Sequence, residues 1–480
     1  MLEGIFLGTV AVLTLVAVGN WRVGLYAAIL IDVLRDPVRK LSDSHSVLIT
    51  VGGTLIWGGV LLGAFNAHGA EINSIFRRFR NLSTALQCLL LALVPGVLLS
   101  LVLYNGGYKL VLIGLISYLG PLIGIAVGFL VPVRERDVYR VFQFYSLVNA
   151  VALVGTVLEA SGMEHPVLGG IDMDWIRQHS GLNVDLIAGI YRSPDIMGLH
   201  AAHVTVFSMM LAERARGPKR LGWIGLAVWG LQSVILSGRR KMVGIPLVFI
   251  ASYLALGMWR GSRRAGRLAT AAAIAAFAGA TALVVFQTEG DRVASNEYTQ
   301  YAGTLFTEGG GRAQELVVGS IIATLYQSGI LGSGIGSVTQ GSHYVAVDRN
   351  KAWQEDGVSR LFKELGVPGV LLILAFMWLL WRTVLDALKL IPAQHPLALK
   401  QIGVLSIVVA NAASFTISHQ QYSGDPGSAI LAVMMLGMVL GMPRIYFRER
   451  DRQKLLEAER AAKREPEIAE PAPRIVPFPV

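Results

Sequence analysis

The chain has 480 residues, 53% of them hydrophobic and only 15% charged, where a soluble domain carries about 25% charged residues. That balance excludes a soluble globular protein. It also excludes a nucleic-acid binder, because the net charge of +10 sits in short segments between apolar runs and in the C-terminal tail, where it reads as topology. The one cysteine, Cys88, lies inside an apolar run, which leaves no intrachain disulfide and no cysteine-based metal cluster.

Apolar runs of about 17 to 25 residues recur from Leu2 to Tyr446, each long enough to cross a hydrocarbon core about 30 Å thick. The expected fold is an all-α polytopic transmembrane helix bundle of about 11 to 13 spans. The first run, MLEGIFLGTVAVLTLVAVG, lacks the basic segment and small-residue cleavage site of a signal peptide and reads as a retained helix. Leu2 to Gly19 and Arg22 to Leu34 form two short spans or a partly re-entrant pair. RDPVRK (Arg35 to Lys40) then competes with RRFR (Arg77 to Arg80) for the cytoplasmic side.

Further along, ERARGPKR (Glu213 to Arg220) and RGSRRAGR (Arg260 to Arg267) carry the strongest cytoplasmic signals. As one helix, Leu221 to Trp259 would run about 58 Å, so the segment forms two spans. The turn between them, SGRRK, then falls at the extracytoplasmic boundary, where positive charge is disfavoured and needs a reason. The same alternation places Gly162 to Ser193, Gln287 to Lys363 and Ser418 to Pro426 outside, the second as a large loop with short helices. Lys389 to Lys400 and everything after Arg444 fall inside. Residues 1–446 form the membrane domain, and 447–480 form a charged, proline-rich cytoplasmic tail expected to be disordered.

Four features converge on the outer face. In YRSPDIMG (Tyr191 to Gly198), Ser193 suits an N-cap, Pro194 the first helical position and Asp195 the first turn, so Arg192 stands at the mouth of a span. In SGRRK, Arg239 and Arg240 point about 100° apart on a helix, so only one faces a given groove squarely. EGGGRAQELVVGSIIATLYQSGILGSGIGS (Glu308 to Ser337) places glycines before Arg312, then a helix with the apolar face Leu316, Ile321 and Leu325, terminated by GSGIGS. A nucleotide reading of the GxGxG fails, because no strand precedes it and no helix opens after it. WQEDGVSRLFKELGVPGVLL (Trp353 to Leu372) brings Glu355, Asp356, Arg360 and Glu364 to the entrance of the next span, with Arg360 and Glu364 on one helical face. Each feature also has a plain reading, as interfacial arginines that snorkel or as solvated helix starts.

Three other patterns carry less. IDMDW (Asp172 to Trp175) offers a D-x-D of the kind that holds metal in nucleotide-sugar transferases, but glycan contact or solvation suits it better. His200 and His203 share a helical face without a third ligand, which suits packing inside the bundle more than metal. His395 punctuates a cytoplasmic loop.

In order and context the four features resemble the bacterial O-antigen ligase and O-antigen polymerase superfamily, multi-spanning enzymes that act on polyprenyl-diphosphate-linked glycans at the outer face of the inner membrane. LSGRR is similar to that family's S-x-S-R, which maps its arginine onto Arg240 and puts Arg239 where a serine is usual. GGGR and the helix and turn after it resemble its G-R and P-L-x-G-x-G, mapping the arginine onto Arg312 with Ser328 in place of proline. EDGVSRLFKELGVPG resembles its H-N-x-Y or D-S-G-Y start followed by L-x-x-x-L-E-x-G-x-x-G, with Glu355 where ligases carry histidine. The resemblance covers roughly Tyr191 to Leu372.

The resemblance implies a glycosyltransferase of the bacterial cytoplasmic membrane, multi-pass, with a cytoplasmic C-terminus and an active site facing outside. Arginine holds a diphosphate leaving group by planar bidentate hydrogen bonds without a metal or other cofactor. Arg192, Arg240 and Arg312, with Arg239 and Arg360 beside them, are the expected substrate binders. Glu355 is the expected base for the acceptor hydroxyl, with Asp356 and His343 in reserve. The partners implied are a polyprenyl-diphosphate-linked glycan donor, a glycan or lipid acceptor, membrane lipids and other polysaccharide-assembly proteins. Glu355 in place of histidine favours polymerase over ligase. A transporter or flippase of lipid-linked oligosaccharide would also suit arginines on a substrate path, but no internal repeat is visible. A peptidoglycan-type glycan polymerase of similar topology is a further enzyme alternative.

Overall fold

A computed structural model describes residues 1–42, 47–171, 176–179, 182–261, 319–344 and 354–462. The chain folds as a helix bundle. Its first half contains α1 (Leu2–Gly19), α2 (Trp21–Leu41), α3 (Val47–Arg78), α4 (Arg80–Leu103), α5 (Gly107–Leu119), α6 (Ile123–Leu130), α7 (Glu135–Ala152) and α8 (Val154–Ala160). A two-stranded antiparallel hairpin, β1 (Ile176–His179) and β2 (Leu182–Asp185), pairs Ile176 with Asp185 and His179 with Leu182. The second half contains α9 (Pro194–Arg214), α10 (Pro218–Leu236), α11 (Arg240–Trp259), α12 (Ser320–Ser328), α13 (Gly357–Lys389), α14 (Pro396–Ile417), α15 (Gln420–Ser423), α16 (Pro426–Gly441) and α17 (Pro443–Ala462).

Nine spans among the described residues are long and apolar enough to cross a membrane, several of them joining two helices in line. α2, α3 and α10 pack lengthwise against these. The protein is therefore a polytopic membrane protein. α9 is the axis of the bundle, with 94% of its apolar window buried, whereas α1 has 17% of its window buried and sits at the rim. A helix apolar on all sides belongs inside, and α9 is apolar over most of its surface, with His203 and Thr205 among its polar residues bonded inside the protein.

The hairpin is the one departure from an all-helical expectation among the described residues, and it lies in the Gly162 to Ser193 segment. α1 and α2 are two full helices rather than a re-entrant pair. RDPVRK is no loop: it forms the last turns of α2. Lys40 Nζ donates to the carbonyls of Val167 and Gly189, which ties that end of α2 to the segment before α9. RRFR goes to the opposite face, where Glu71 pairs with Arg444 and Arg78 lies over the Phe447 ring at 4.8 Å.

That opposite face also holds Glu135 between Lys400 (2.5 Å) and Arg214 (3.3 Å), and Arg260 donating to the Ile391 carbonyl. The segments before α9, α11, α13 and α16 share the other face, as the alternation of basic loops predicts. α11 leaves at one face and α13 enters from the other, so the chain changes face between Arg260 and Gly357.

The GSGIGS turn is a packing device. Gly334 and Gly336 have φ of +92° and +78°, and a Cβ at either would strike Ser100 or the Leu110 carbonyl. The backbone here is wedged between α4, α5 and α13, which only glycine permits. α12 ends earlier than the sequence suggests, at Gly329 (φ +66°). Inside α13, Gly366 (φ +66°) breaks the helix against the Leu331 carbonyl, so the glycines of the L-x-x-x-L-E-x-G-x-x-G resemblance seat this turn.

Candidate functional site

The shared face carries two charged clusters, built from the ends of different helices. The first forms around Arg35, which is 1% exposed near the end of α2. Its guanidinium reaches Asp425 at 2.5 Å, Asp32 at 3.0 Å and Asp36 at 3.8 Å. Arg192 joins from the other side, 3.6 Å from Asp36 and 4.0 Å from Asp425, and donates to the Gly424 carbonyl at 2.8 Å. Asp36 also accepts from the Arg192 backbone amide at 3.1 Å. Asp425 caps α16 while Ser428 Oγ donates to it at 2.9 Å. Burial pushes the Asp425 carboxyl up, but Arg35 and then Arg192 outweigh it and hold the group below the usual carboxylate range. Arg192 is thus the lid of a buried ionic network, which spends its charge on protein carboxylates.

The second cluster forms where α11 begins. Arg239 is the N-cap residue of α11 and makes no side-chain capping bond, so the first turn of the helix opens directly under the SGRRK segment. Asp195, in the first turn of α9, receives Arg239 at 3.0 Å and Lys241 at 2.9 Å. Lys241 also donates to Ser418 Oγ at 2.7 Å and lies 3.8 Å from Glu355. Arg240 stands between these two cations in sequence, as the first residue of α11, and is 8% exposed. The Glu355 side chain is 53% exposed, which leaves its carboxylate open to solvent beside the cations.

Among the described residues, three cations thus gather with two carboxylates at a helix N-terminus, the end of a helix dipole that favours anions. The sequence assigns Arg239, Arg240 and Glu355 to one site; in the fold Arg239 and Lys241 meet on Asp195, and Glu355 approaches through Lys241. The sequence did not identify Lys241 or Asp195 as the links.

The other expected site residues go elsewhere. Asp356 is 3% exposed and accepts from the Ser359 amide at 2.7 Å, so it works as the N-cap of α13. Arg360 does not join the cations. It is enclosed under the GSGIGS turn, 3.3 Å from Glu364, donating to Ser117 and Thr339 at 2.9 Å each and lying over the Tyr118 ring. Glu364 accepts from Thr339 Oγ1 at 2.8 Å and from the Val338 amide at 3.2 Å. The pair therefore pins the turn to α13. Arg312, the D-x-D at Asp172 and Asp174, and the His343 side chain lie outside the described residues.

Two features behind the face were not legible as function. His419 clips the start of α13 to the turn after α14: its Nε2 lies 2.9 Å from the Gln354 carbonyl and its Nδ1 2.8 Å from Ser423 Oγ. Burial, reinforced by Arg360, pushes its imidazole down to about 3. His200 and His203 are buried and share Tyr145: its hydroxyl lies 2.6 Å from His200 Nδ1 and 3.3 Å from His203 Nδ1. His203 Nε2 lies 2.9 Å from Asn411 Oδ1, in keeping with a packing role. No group of three or more potential metal ligands occurs among the described residues.

Fold and site together define a polytopic membrane protein with a cationic, carboxylate-flanked cluster at one face of its bundle. No protein-family model matches the chain, and no curated protein matches it.

Proposed function

We propose that the protein is a metal-independent glycosyltransferase that acts on polyprenyl-diphosphate-linked glycan and extends it in the manner of an O-antigen or exopolysaccharide polymerase. The observation that carries this reading is the cluster at the start of α11. It presents Arg239, Arg240 and Lys241 at an uncapped helix start and one exposed carboxylate, Glu355, 3.8 Å from Lys241. A polyprenyl diphosphate leaves readily once its developing negative charge is held, and guanidinium groups hold it bidentately. Arg240 is the diphosphate ligand in this reading, with Lys241 steering and Arg239 anchored on Asp195. Glu355 takes the proton of the acceptor hydroxyl.

The resemblance of LSGRR and EDGVSRLFKELGVPG to the ligase and polymerase superfamily supports the same roles. Arg312 remains a proposed ligand from that resemblance. The basic residues of the opposite face, among them Arg78, Arg214, Lys400 and Arg444, support a cytoplasmic location for that face, and with it for the C-terminus. In this reading the α11 cluster faces the outside of the bacterial cytoplasmic membrane, where lipid-linked donor and acceptor meet.

The test is reconstitution. Purified protein in lipid with a polyprenyl-diphosphate oligosaccharide should yield longer glycan and free polyprenyl diphosphate. Glycan moved onto a lipid core would select ligase chemistry, and translocation without any bond change would select a transporter.

A further inference from the structure

The ion pairs of the closed cluster are unevenly shared, and Lys40, one turn further along α2, acts on Asp36 rather than on Asp32. Two guanidiniums, Arg35 and Arg192, face three carboxylates, Asp32, Asp36 and Asp425. Asp36 and Asp425 each contact both guanidiniums, whereas Asp32 contacts Arg35 alone. The other Asp32 oxygen accepts only a long bond, 3.4 Å, from the Trp57 indole on α3. This side of Asp32 lines a cavity with room for about one water molecule, closed by Ile29, Trp57, Tyr145, Asn149, His200 and Ser428.

His200 meets the same cavity from α9. It is 3% exposed, its Nδ1 is taken by the Tyr145 hydroxyl, and its Nε2 has no hydrogen-bond partner. Tyr191 stacks on its ring at 5.1 Å between centroids. A buried imidazole nitrogen without a partner costs free energy, and so does a buried excess carboxylate. A proton on Asp32 removes the excess charge, and one water in the cavity can partner His200 Nε2 as donor or as acceptor.

We propose that this cavity is an internal proton-binding site, in which a proton taken up from solvent is held by the Asp32 carboxylate and shared through one water with His200 Nε2. No other bond forms or breaks, and the donating hydronium leaves as water. With the proton bound, the carboxylates and guanidiniums of the cluster balance. Without it, Asp32 competes with Asp425 and Asp36 for Arg35. Because Arg192 closes the same network, the proton state of Asp32 is linked through Arg35 and Asp425 to the segment that precedes α9.

The groups facing the site set the balance. Arg35, Asp36 and Asp425 act on Asp32 from α2 and the start of α16, Trp57 from α3, and His200 and Tyr145 from α9 and α7. His203 lies beyond Tyr145. The site is independent of the glycan-transfer reading, and ionisable groups inside a bundle commonly mark such relays.

Full-length protein in lipid bilayers, titrated from about pH 9 to about pH 5 in sodium-free buffer, tests this by infrared difference spectroscopy of carboxyl protonation. Wild type is expected to gain a buried protonated-carboxyl band on acidification, and Asp32→Asn to lose it. His200→Gln should keep the band with a shifted midpoint, because the water loses its second partner. Melting curves add a second readout of the same protonation. Asp32→Asn carries the charge of the protonated state, so its melting temperature should equal that of wild type at the acid end and no longer change through the band's midpoint. If Asp32→Asn does not fold, the His200→Gln midpoint decides alone. An unchanged band in Asp32→Asn, or an unshifted midpoint in His200→Gln, overturns the proposal. So does a midpoint that moves with sodium concentration, which assigns the cavity to a sodium ion.

Discussion

Two charged clusters share one face of the bundle and are built on opposite principles. Around Arg35, two cations are enclosed by three carboxylates, and the side chains of Arg35, Asp36 and Asp425 are at most 1% exposed. At the start of α11, among the described residues, three cations gather with two carboxylates, one of them half exposed. The first cluster is enclosed and ties α2, α9 and α16 together. The second lies at the first turn of a helix, beside a carboxylate that solvent reaches. Proximity to a membrane face therefore does not distinguish the two; the sign of the charge in the majority and the exposure of Glu355 do.

Substitutions should separate the two clusters. The largest expected effect is on stability, from Asp425→Ala, which removes the nearest carboxylate partner of Arg35, a partner of Arg192 and the cap of α16. Breaking a buried pair from one side costs about 3–5 kcal/mol, measurable as a drop in melting temperature of detergent-solubilised protein. Arg240→Lys should leave melting unchanged and reduce transfer by about 10²–10³-fold, since lysine cannot copy the bidentate grip on diphosphate. Glu355→Gln should slow transfer by about a hundredfold. The matching change Asp356→Asn should leave transfer near wild type and cost only a few tenths of a kcal/mol, because asparagine also caps a helix.

A smaller effect comes from pH. His419 is held down to about 3, while the unfolded imidazole titrates at its ordinary value of about 6.5. Between those values the unfolded chain binds the extra proton, so stability falls as pH drops through that window and is retained above it. His419→Gln should flatten the acid side of the melting profile, with Arg360 and Lys241 the charged neighbours that set the remainder.

Much of this was legible from local pattern. The alternation of basic loops placed the segments before α9, α11, α13 and α16 on one face, and the charge bias singled out SGRRK as anomalous there. The buried cluster was not legible, because the partners of Arg35 come from distant parts of the chain and only packing brings Asp425 to α2. One signal was present: Asp32, Arg35 and Asp36 recur at helical spacing within a hydrophobic stretch, where charge is expensive unless paired. Arg360 and Asp356 were read as site residues because their types suit chemistry. The fold uses them to pin a glycine turn and to cap a helix, roles that depend on neighbours the local sequence does not reveal.

The central claim is that the cluster at the start of α11, and not the Arg35 cluster, holds the diphosphate. The most direct measurement compares Arg240→Lys with wild type in the same lipid, recording both free polyprenyl diphosphate released from a lipid-linked oligosaccharide and the melting temperature. The account predicts release by wild type, its loss in Arg240→Lys and equal melting temperatures. Undiminished release by a well-folded Arg240→Lys protein would contradict it.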